Sequence, residues 1–126
     1  MKTFIFSMIL LFLIVSLLVF NFFSIEKKSN ELNAILQKLE ESIKEKNNEK
    51  ISKYLNDAIL FWEDKKDVLF AVSNHKDLDE LSQIFKKLKI RITQGRYDEA
   101  IEEIHLAKFH LDDITSNELP LFSNIF

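Results

Sequence analysis

Glu102 and His105 are the pair of residues in this chain whose spacing most resembles a reactive site. They stand three residues apart in a helical stretch, which is the spacing of the carboxylate–imidazole pairs that hold two iron ions in helical bundles. Such a site needs a second pair and further glutamates from facing helices. An internal repeat, described below, places Lys53 and Asn56 at the equivalent positions, and these cannot serve. The sequence therefore favours a solvated helix face for Glu102 and His105.

The other histidines and acids form no recognisable catalytic arrangement. His75 lies in a predicted turn, and His110 flanks the apolar stripe of the last helix. The chain has no cysteine and no serine-nucleophile motif for a histidine to activate. The acidic pairs Glu40-Glu41 and Asp112-Asp113 are typical of solvent-facing helix surface. The sequence predicts a protein that is not an enzyme and that holds no cofactor and no metal.

The charge and composition of the chain narrow its class. Lys and Arg number 17 against 20 Asp and Glu, a net charge of −3, which argues against nucleic-acid binding and against a polybasic lipid-binding patch. Without cysteine, a small domain must be stabilised by core packing. A single glycine and a single proline leave few helix breaks. The predicted class is all-α.

An uncharged apolar run from Phe4 to Phe23 dominates the N-terminus. As a helix, at about 1.5 Å per residue, this run reaches roughly 30 Å, the thickness of a bilayer's hydrocarbon core. Residues 1–25 are therefore predicted to form a transmembrane signal-anchor. The residues predicted to lie in the membrane include Phe4, Ile5, Leu10, Leu13, Val19 and Phe23.

Two other interpretations of the apolar run stay open. A cleaved signal peptide needs small residues at its cleavage site, whereas Phe22-Phe23-Ser24 offers bulky ones. A buried helix of a soluble protein rarely needs so long an uncharged run. Flanking charges nearly balance, with Lys2 before the run and Lys27 and Lys28, offset by Glu26, after it. The short basic leader favours a single-pass protein of the cell membrane with its C-terminal domain outside the cytoplasm.

Residues 26–118 are predicted to form an all-α domain of two antiparallel helical hairpins. The first helix continues from the anchor and ends at Lys46-Asn47-Asn48, where an asparagine would take the left-handed conformation that closes a helix. The other helices are predicted at about 49–73, 78–94 and 97–115. Asp77 and Glu80 have the spacing of a capping box, and Gly95 stands where a closing glycine belongs.

The apolar stripes of these helices repeat with a period of 49 residues. The first set is Leu32, Leu36, Leu39, Ile43, Ile51, Leu55, Ala58 and Trp62, and the second is Leu81, Phe85, Leu88, Ile92, Ala100, Ile104, Ala107 and Leu111. The helix breaks match as well, since Lys46-Asn47 falls on Gly95-Arg96. Matched breaks favour a repeated helical hairpin over a chance match of apolar positions.

Several features together resemble a family of unknown function from spore-forming Gram-positive bacteria. These are the N-terminal anchor, the heptad-rich helix after it, the mid-domain Trp62, an aliphatic-rich last helix, and the terminus Ser123-Asn124-Ile125-Phe126. The resemblance spans the whole chain. It implies short, membrane-anchored helical proteins, and the gene neighbours of that family imply a membrane protein as partner.

Two places are candidate contacts for a partner or a ligand. Trp62 lies on the stripe of the second helix, where core packing is the default and a ligand groove is the alternative. Pro120 is predicted to end regular structure, leaving residues 119–126 as an apolar tail that either folds back over the bundle or docks into a partner. The tail residues in question are Leu121, Phe122, Ile125 and Phe126.

Two functions follow from this sequence. The first is a non-enzymatic, membrane-anchored interaction module that meets another envelope or membrane protein. The second is a sensing or carrier domain that binds a small ligand between the hairpins. A cavity beside Trp62 would favour the ligand, and a filled core with an exposed apolar strip would favour the partner. The oligomeric state does not follow from the sequence.

Overall fold

The computed structural model describes residues 1–69 and 75–125, with side chains described for residues 1–67 and 76–115. Every regular element within these ranges is an α-helix. The helices are α1 (Lys2–Glu45), α2 (Asn48–Leu69), α3 (His75–Thr93) and α4 (Tyr97–Ile125). α1 pairs with α2 and α3 with α4, and the two hairpins meet chiefly through α1 and α4. The predicted all-α fold of two antiparallel hairpins is confirmed.

α1 is one continuous helix from the apolar run into the bundle, as the absence of glycine and proline predicts. Its 44 residues extend about 66 Å at 1.5 Å per residue. The first half is exposed, and burial begins abruptly at Ile25. One helix therefore provides both the apolar segment and one side of the core.

Lys46 closes the first hairpin in the left-handed conformation, with φ 58°. Its N–H donates to the carbonyl of Ile43, and the N–H of Asn47 donates to the carbonyl of Ser42, both at 3.1 Å. These two bonds define a Schellman ending of α1. The prediction that an asparagine takes the left-handed position is wrong. Asn47 is instead the N-cap residue of α2, because its Oδ1 accepts a hydrogen bond from the Lys50 N–H at 3.2 Å.

Gly95 closes the second hairpin in the same way, with φ 74°. Its N–H donates to the carbonyl of Ile92, and the N–H of Arg96 donates to the carbonyl of Arg91. This is the bond pattern found at Lys46, which lies 49 residues earlier. The two turns therefore repeat with the period predicted from the apolar stripes.

The core joins the apolar stripes of all four helices. Of the sixteen residues that pair up in the 49-residue repeat, all are buried except Ile92, which is partly buried against the core. Ile114 extends the stripe of α4. Ile25 and Ile84 are also buried, although the stripes did not include them. Periodicity therefore predicts the centre of the core, and the structure adds its edges.

Two predicted helix ends are wrong. α3 begins at His75, so Asp77 lies within its first turn and does not cap it. α4 continues to Ile125 through Pro120, although a proline inside a helix removes one backbone donor and crowds the carbonyl of residue i−4. The predicted end of α2 near residue 73 lies outside the described residues.

Candidate functional site

The apolar segment of α1, Phe4–Phe23, is exposed along most of its length. Phe4, Ile5, Leu10, Leu13 and Phe23 are all exposed, and Val19 is half-buried. Among the described residues, α1 is the one helix that is long and apolar enough to cross a membrane. A membrane anchor and a signal sequence both have this character.

The bundle begins immediately after this segment. Phe23 is 60 % exposed, whereas Ile25, two residues on, is 1 % exposed. Ser29 and Leu32 continue the buried face of α1. No flexible linker separates the apolar segment from the core, because both belong to α1. The base of the bundle, at the level of Ile25, therefore adjoins the end of the apolar segment.

α4 runs antiparallel to α1 and ends beside the apolar segment. His105 contacts Glu40, and three residues further along α4, Lys108 contacts Gln37. Both helices advance at about 1.5 Å per residue, so each step along α4 matches one step back along α1. Ile125 lies 17 residues beyond Lys108, and 17 residues before Gln37 is Phe20. The end of α4 thus reaches the level of the last residues of the apolar run.

The predicted tail residues occupy this end of α4. The backbone of Leu121, Phe122 and Ile125 is helical, so these residues do not form the irregular tail that was predicted. Their side chains, and Phe126 altogether, lie outside the described part of the chain. Whether they pack on the bundle or meet a partner stays a prediction.

Trp62 is a core residue. It is fully buried, its ring packs against Phe85 with centroids 5.7 Å apart, and its Nε1 donates to the Ser82 hydroxyl at 2.9 Å. This packing removes Trp62 from the surface that a partner could contact. The contacts with Phe85 and Ser82 are those of core packing, which was the default expectation for this residue.

Among the described side chains outside α1, two exposed large apolar residues lie together on α4. Leu106 and Phe109 lie three residues apart, 48 % and 64 % exposed, so they share the outer face of that helix. We call this pair the α4 patch. Leu60 on α2 and Ile90 on α3 are also exposed, each on a different helix.

Glu40 forms a buried polar contact between α1 and α4 that the sequence did not predict. The residue is 5 % exposed, although the pair Glu40-Glu41 was expected on the surface. Its Oε1 lies 2.5 Å from His105 Nε2, and its Oε2 lies 3.5 Å from Lys108 Nζ. Burial acts to raise the pKa of Glu40, but the hydrogen bond from His105 and the charges of Lys108 and Lys44 outweigh it and hold the pKa below 4.5.

Glu102 and His105 do not converge on one site. His105 turns toward α1 and Glu40, whereas Glu102 is exposed. A signal for the Glu40 contact was present, because position 40 follows Leu36 and Leu39 on the buried side of α1. A carboxylate next to a stripe of this kind is placed to pair with a cation from the facing helix.

Residues 19–125 match the family described as Domain of unknown function (DUF4363). The chain belongs to this family. The match includes the last residues of the apolar run and the whole bundle. Neither the comparison with curated proteins nor that with solved structures gave a match.

The region that matches DUF4363 includes the end of the apolar segment as well as the bundle. It begins at Val19, six residues before the first buried residue, Ile25. This agrees with the continuity of α1. The expected family of unknown function is therefore confirmed at the level of the family. Because DUF4363 is described as a domain of unknown function, the match does not assign an activity or a ligand to this chain.

Proposed function

We propose that this DUF4363 protein is a membrane-anchored, non-enzymatic interaction module of the bacterial cell envelope. The observation that carries the proposal is the continuity of α1, which joins an exposed apolar segment to the bundle core. A bundle held in this way stands directly on the membrane surface. The resemblance to proteins of spore-forming Gram-positive bacteria supports the envelope location.

The helix around Ile25 favours an anchor over a cleaved signal. A signal peptidase needs small residues at its site. Apart from Ser24, residues 22–26 are instead bulky, all five are helical, and Ile25 among them is 1 % exposed. The same end of α1 helps to bury the base of the core, so its loss would expose core residues.

The end of α4 is a second contact with the membrane in this proposal. Residues 119–126 contain no charged side chain, and the antiparallel register brings Ile125 to the level of Phe20. Burying a phenylalanine or leucine stabilises by about 1.5–3 kcal/mol. We expect the last turns of α4 to enter the interfacial layer of the bilayer beside α1.

The α4 patch is the surface that suits a protein partner above the membrane. Leu106 and Phe109 are exposed apolar side chains on one face of a helix whose other faces pack against α1 and α3. Adjacent apolar side chains that stay exposed in a charged surface mark an interaction site. The full burial of Trp62 against Phe85 supports a partner surface elsewhere on the bundle.

The anchor is tested on the full chain in native membranes. We expect the protein to stay in the pellet after alkaline carbonate extraction, and N-terminal sequencing to begin at the original start. Protease added to intact spheroplasts should digest the bundle, because the C-terminal domain lies outside. A protein released by carbonate, or shortened near Phe23, would contradict the anchor.

The contact of α4 with lipid is tested by fluorescence, since the chain has no cysteine. Phe122→Cys carries an environment-sensitive dye, and Leu106→Cys carries it higher on the same helix. In liposomes with nitroxide lipids, we expect quenching of the dye at position 122 and little at position 106. Equal quenching at both positions would exclude the proposed register.

The partner surface is tested by photocrosslinking in living cells. A photoreactive residue replaces Phe109, and the control replaces Leu60, which is equally exposed and equivalent in the 49-residue repeat. We expect one discrete crosslinked band from position 109 alone. The same bands from both positions would show that exposure, and not the α4 patch, determines the crosslink.

A further inference from the structure

Asp77, Glu80 and His110 form a cluster between α3 and α4 that plays no part in the proposed function. Asp77 and Glu80 stand one turn apart on α3, and His110 reaches them from α4. His110 Nδ1 lies 3.2 Å from Asp77 Oδ1, and His110 Nε2 lies 3.0 Å from Glu80 Oε2. One ligand atom from each residue lies within 4.8 Å of the others.

A neutral His110 without an ion does not satisfy both of its contacts with ionised carboxylates. A neutral imidazole has one N–H donor and one acceptor nitrogen. Both ring nitrogens of His110 face carboxylate oxygens, so one contact would join two acceptors. A metal ion on one ring nitrogen removes that conflict, because the other nitrogen then carries the N–H and donates to its carboxylate.

The burial of Asp77 adds an independent observation. Its side chain is 8 % exposed, yet its Oδ2 has no hydrogen-bond partner among the described residues. A buried carboxylate oxygen without a donor is costly, and an ion is one way to compensate it.

We propose that Asp77, Glu80 and His110 bind a divalent transition-metal ion such as Zn²⁺. One ring nitrogen and one oxygen from each carboxylate form the protein ligands, and water fills the remaining positions. Ligand atoms that share a zinc ion at about 2.0–2.2 Å lie roughly 3–3.5 Å apart. Whichever ring nitrogen binds the ion already has this separation from one carboxylate, at 3.2 Å for Nδ1 and Asp77 or 3.0 Å for Nε2 and Glu80. The third ligand atom lies within 4.8 Å. Glu80, whose side chain is 40 % exposed, is free enough to close on the ion.

The donor set decides the class of ion. Imidazole nitrogen with carboxylate oxygen suits zinc, manganese, iron or cobalt, whereas calcium prefers six to eight oxygen ligands. The ion would link the start of α3 to α4. This departs from the sequence-based prediction that the chain holds no metal.

The test uses the full, tag-free chain in detergent after treatment with a chelator. Zn²⁺ is titrated by calorimetry, and Co²⁺ by its visible absorption. We expect one equivalent of either ion to bind, and Co²⁺ to show the intense bands of a site with fewer than six ligands. His110→Gln should abolish binding, and Glu80→Gln should weaken it at least tenfold.

Two control variants separate the site from the general surface. Asp79→Asn removes an exposed carboxylate from the same helix, and His105→Gln removes a histidine that faces α1 instead. Both should bind as the wild type does. Glu80→Gln keeps the result interpretable if His110→Gln misfolds, because Glu80 is partly exposed. A wild-type chain that binds no ion, or a Glu80→Gln variant with unchanged affinity, overturns the proposal.

Discussion

The two hairpins share a core but differ in their polar contacts. Shifted by 49 residues, the buried stripe of α1 and α2 falls on that of α3 and α4, and the left-handed turn residues coincide. Glu40 corresponds instead to the exposed Lys89, and its partner His105 corresponds to Asn56. His110 corresponds to Phe61. The repeated apolar core is therefore combined with a contact between Glu40 and His105 that the equivalent residues, Lys89 and Asn56, do not form.

The hairpins touch at equivalent positions of the repeat beside their turns. Tyr97 hydroxyl donates to Asn48 Oδ1 at 3.4 Å, and these two positions are equivalent in the repeat. The polar contacts inside the core do not repeat, since Trp62 donates to Ser82, whereas the equivalent pair is Leu111 and Asn33. The Oδ1 of Asn33 is buried without a hydrogen-bond partner in the described part of the chain.

Of the substitutions that test this comparison, Trp62→Ala should lower the free energy of unfolding most. The ring is fully buried against Phe85, and its loss also leaves the Ser82 hydroxyl without its donor. We expect the free energy of unfolding to fall by about 3–5 kcal/mol, and by about 2–4 kcal/mol for Leu111→Ala at the equivalent position. Urea unfolding of the full chain in detergent, followed by far-UV circular dichroism, measures both.

A surface control makes this prediction specific. Leu60→Ala removes an exposed leucine from the same helix as Trp62, and we expect a change of less than about 0.5 kcal/mol. If Leu60→Ala and Trp62→Ala destabilise equally, the two hairpins do not share the core described here.

The sequence predicts the symmetric part of this comparison and misses the asymmetric part. Apolar spacing at 3.6 residues per turn is local information, so the stripes and the period of 49 residues follow from the sequence. The contact between Glu40 and His105 joins residues 65 positions apart, and it depends on the rotation of α1 against α4. Nothing in the local pattern determines that rotation.

The turn residues show a second limit of the sequence. Gly95 was predicted correctly because glycine favours positive φ. Lys46 was missed because the local preference for asparagine is weak, and the Oδ1 of Asn47 is used to begin α2. Asp77 was assigned to a helix cap because its spacing from Glu80 is a local signal. In the structure its carboxylate contacts His110 on another helix, which the local spacing does not predict.

Glu40→Gln should cause the next largest loss in the free energy of unfolding. The folded state holds the pKa of Glu40 below 4.5, so folding favours the ionised form. Its contribution is present above pH 4.5 and is lost as the pH falls through the folded-state pKa. At pH 7 we expect a loss of about 1–2 kcal/mol, toward the low end because the His105 side chain is 61 % exposed.

The control is Lys89→Gln, at the equivalent and exposed position of the second hairpin, with an expected change within about 0.5 kcal/mol. Urea unfolding at pH 7, 5 and 3.5 should show the difference between wild type and Glu40→Gln shrinking as the pH falls. A difference that stays constant over this range would mean that the ionised carboxylate does not stabilise the fold.

Gly95→Ala should destabilise by about 1 kcal/mol. An added Cβ would meet no atom within 4 Å, so the cost comes from the backbone alone, which at φ 74° is unfavourable for a residue with a side chain. Thermal unfolding of the full chain measures the loss. Gln94→Ala, next to the turn and exposed, is the control and should unfold at the wild-type temperature.

Lys46→Gly should change the free energy of unfolding least, and it should raise it where the other substitutions lower it. Lysine already bears the cost of positive φ at the position where the second hairpin has glycine. Glycine removes that cost of about 1–2 kcal/mol but adds freedom to the unfolded chain, which offsets about 0.5–1 kcal/mol. Since Lys46 is exposed, no packing is lost, and the net gain should be about 0.5 kcal/mol. Thermal unfolding beside Lys44→Gly, which places the flexible glycine in the last turn of α1, should move the two variants in opposite directions. A lower melting temperature for Lys46→Gly would show that the two turns, despite their shared bonds, are not energetically equivalent.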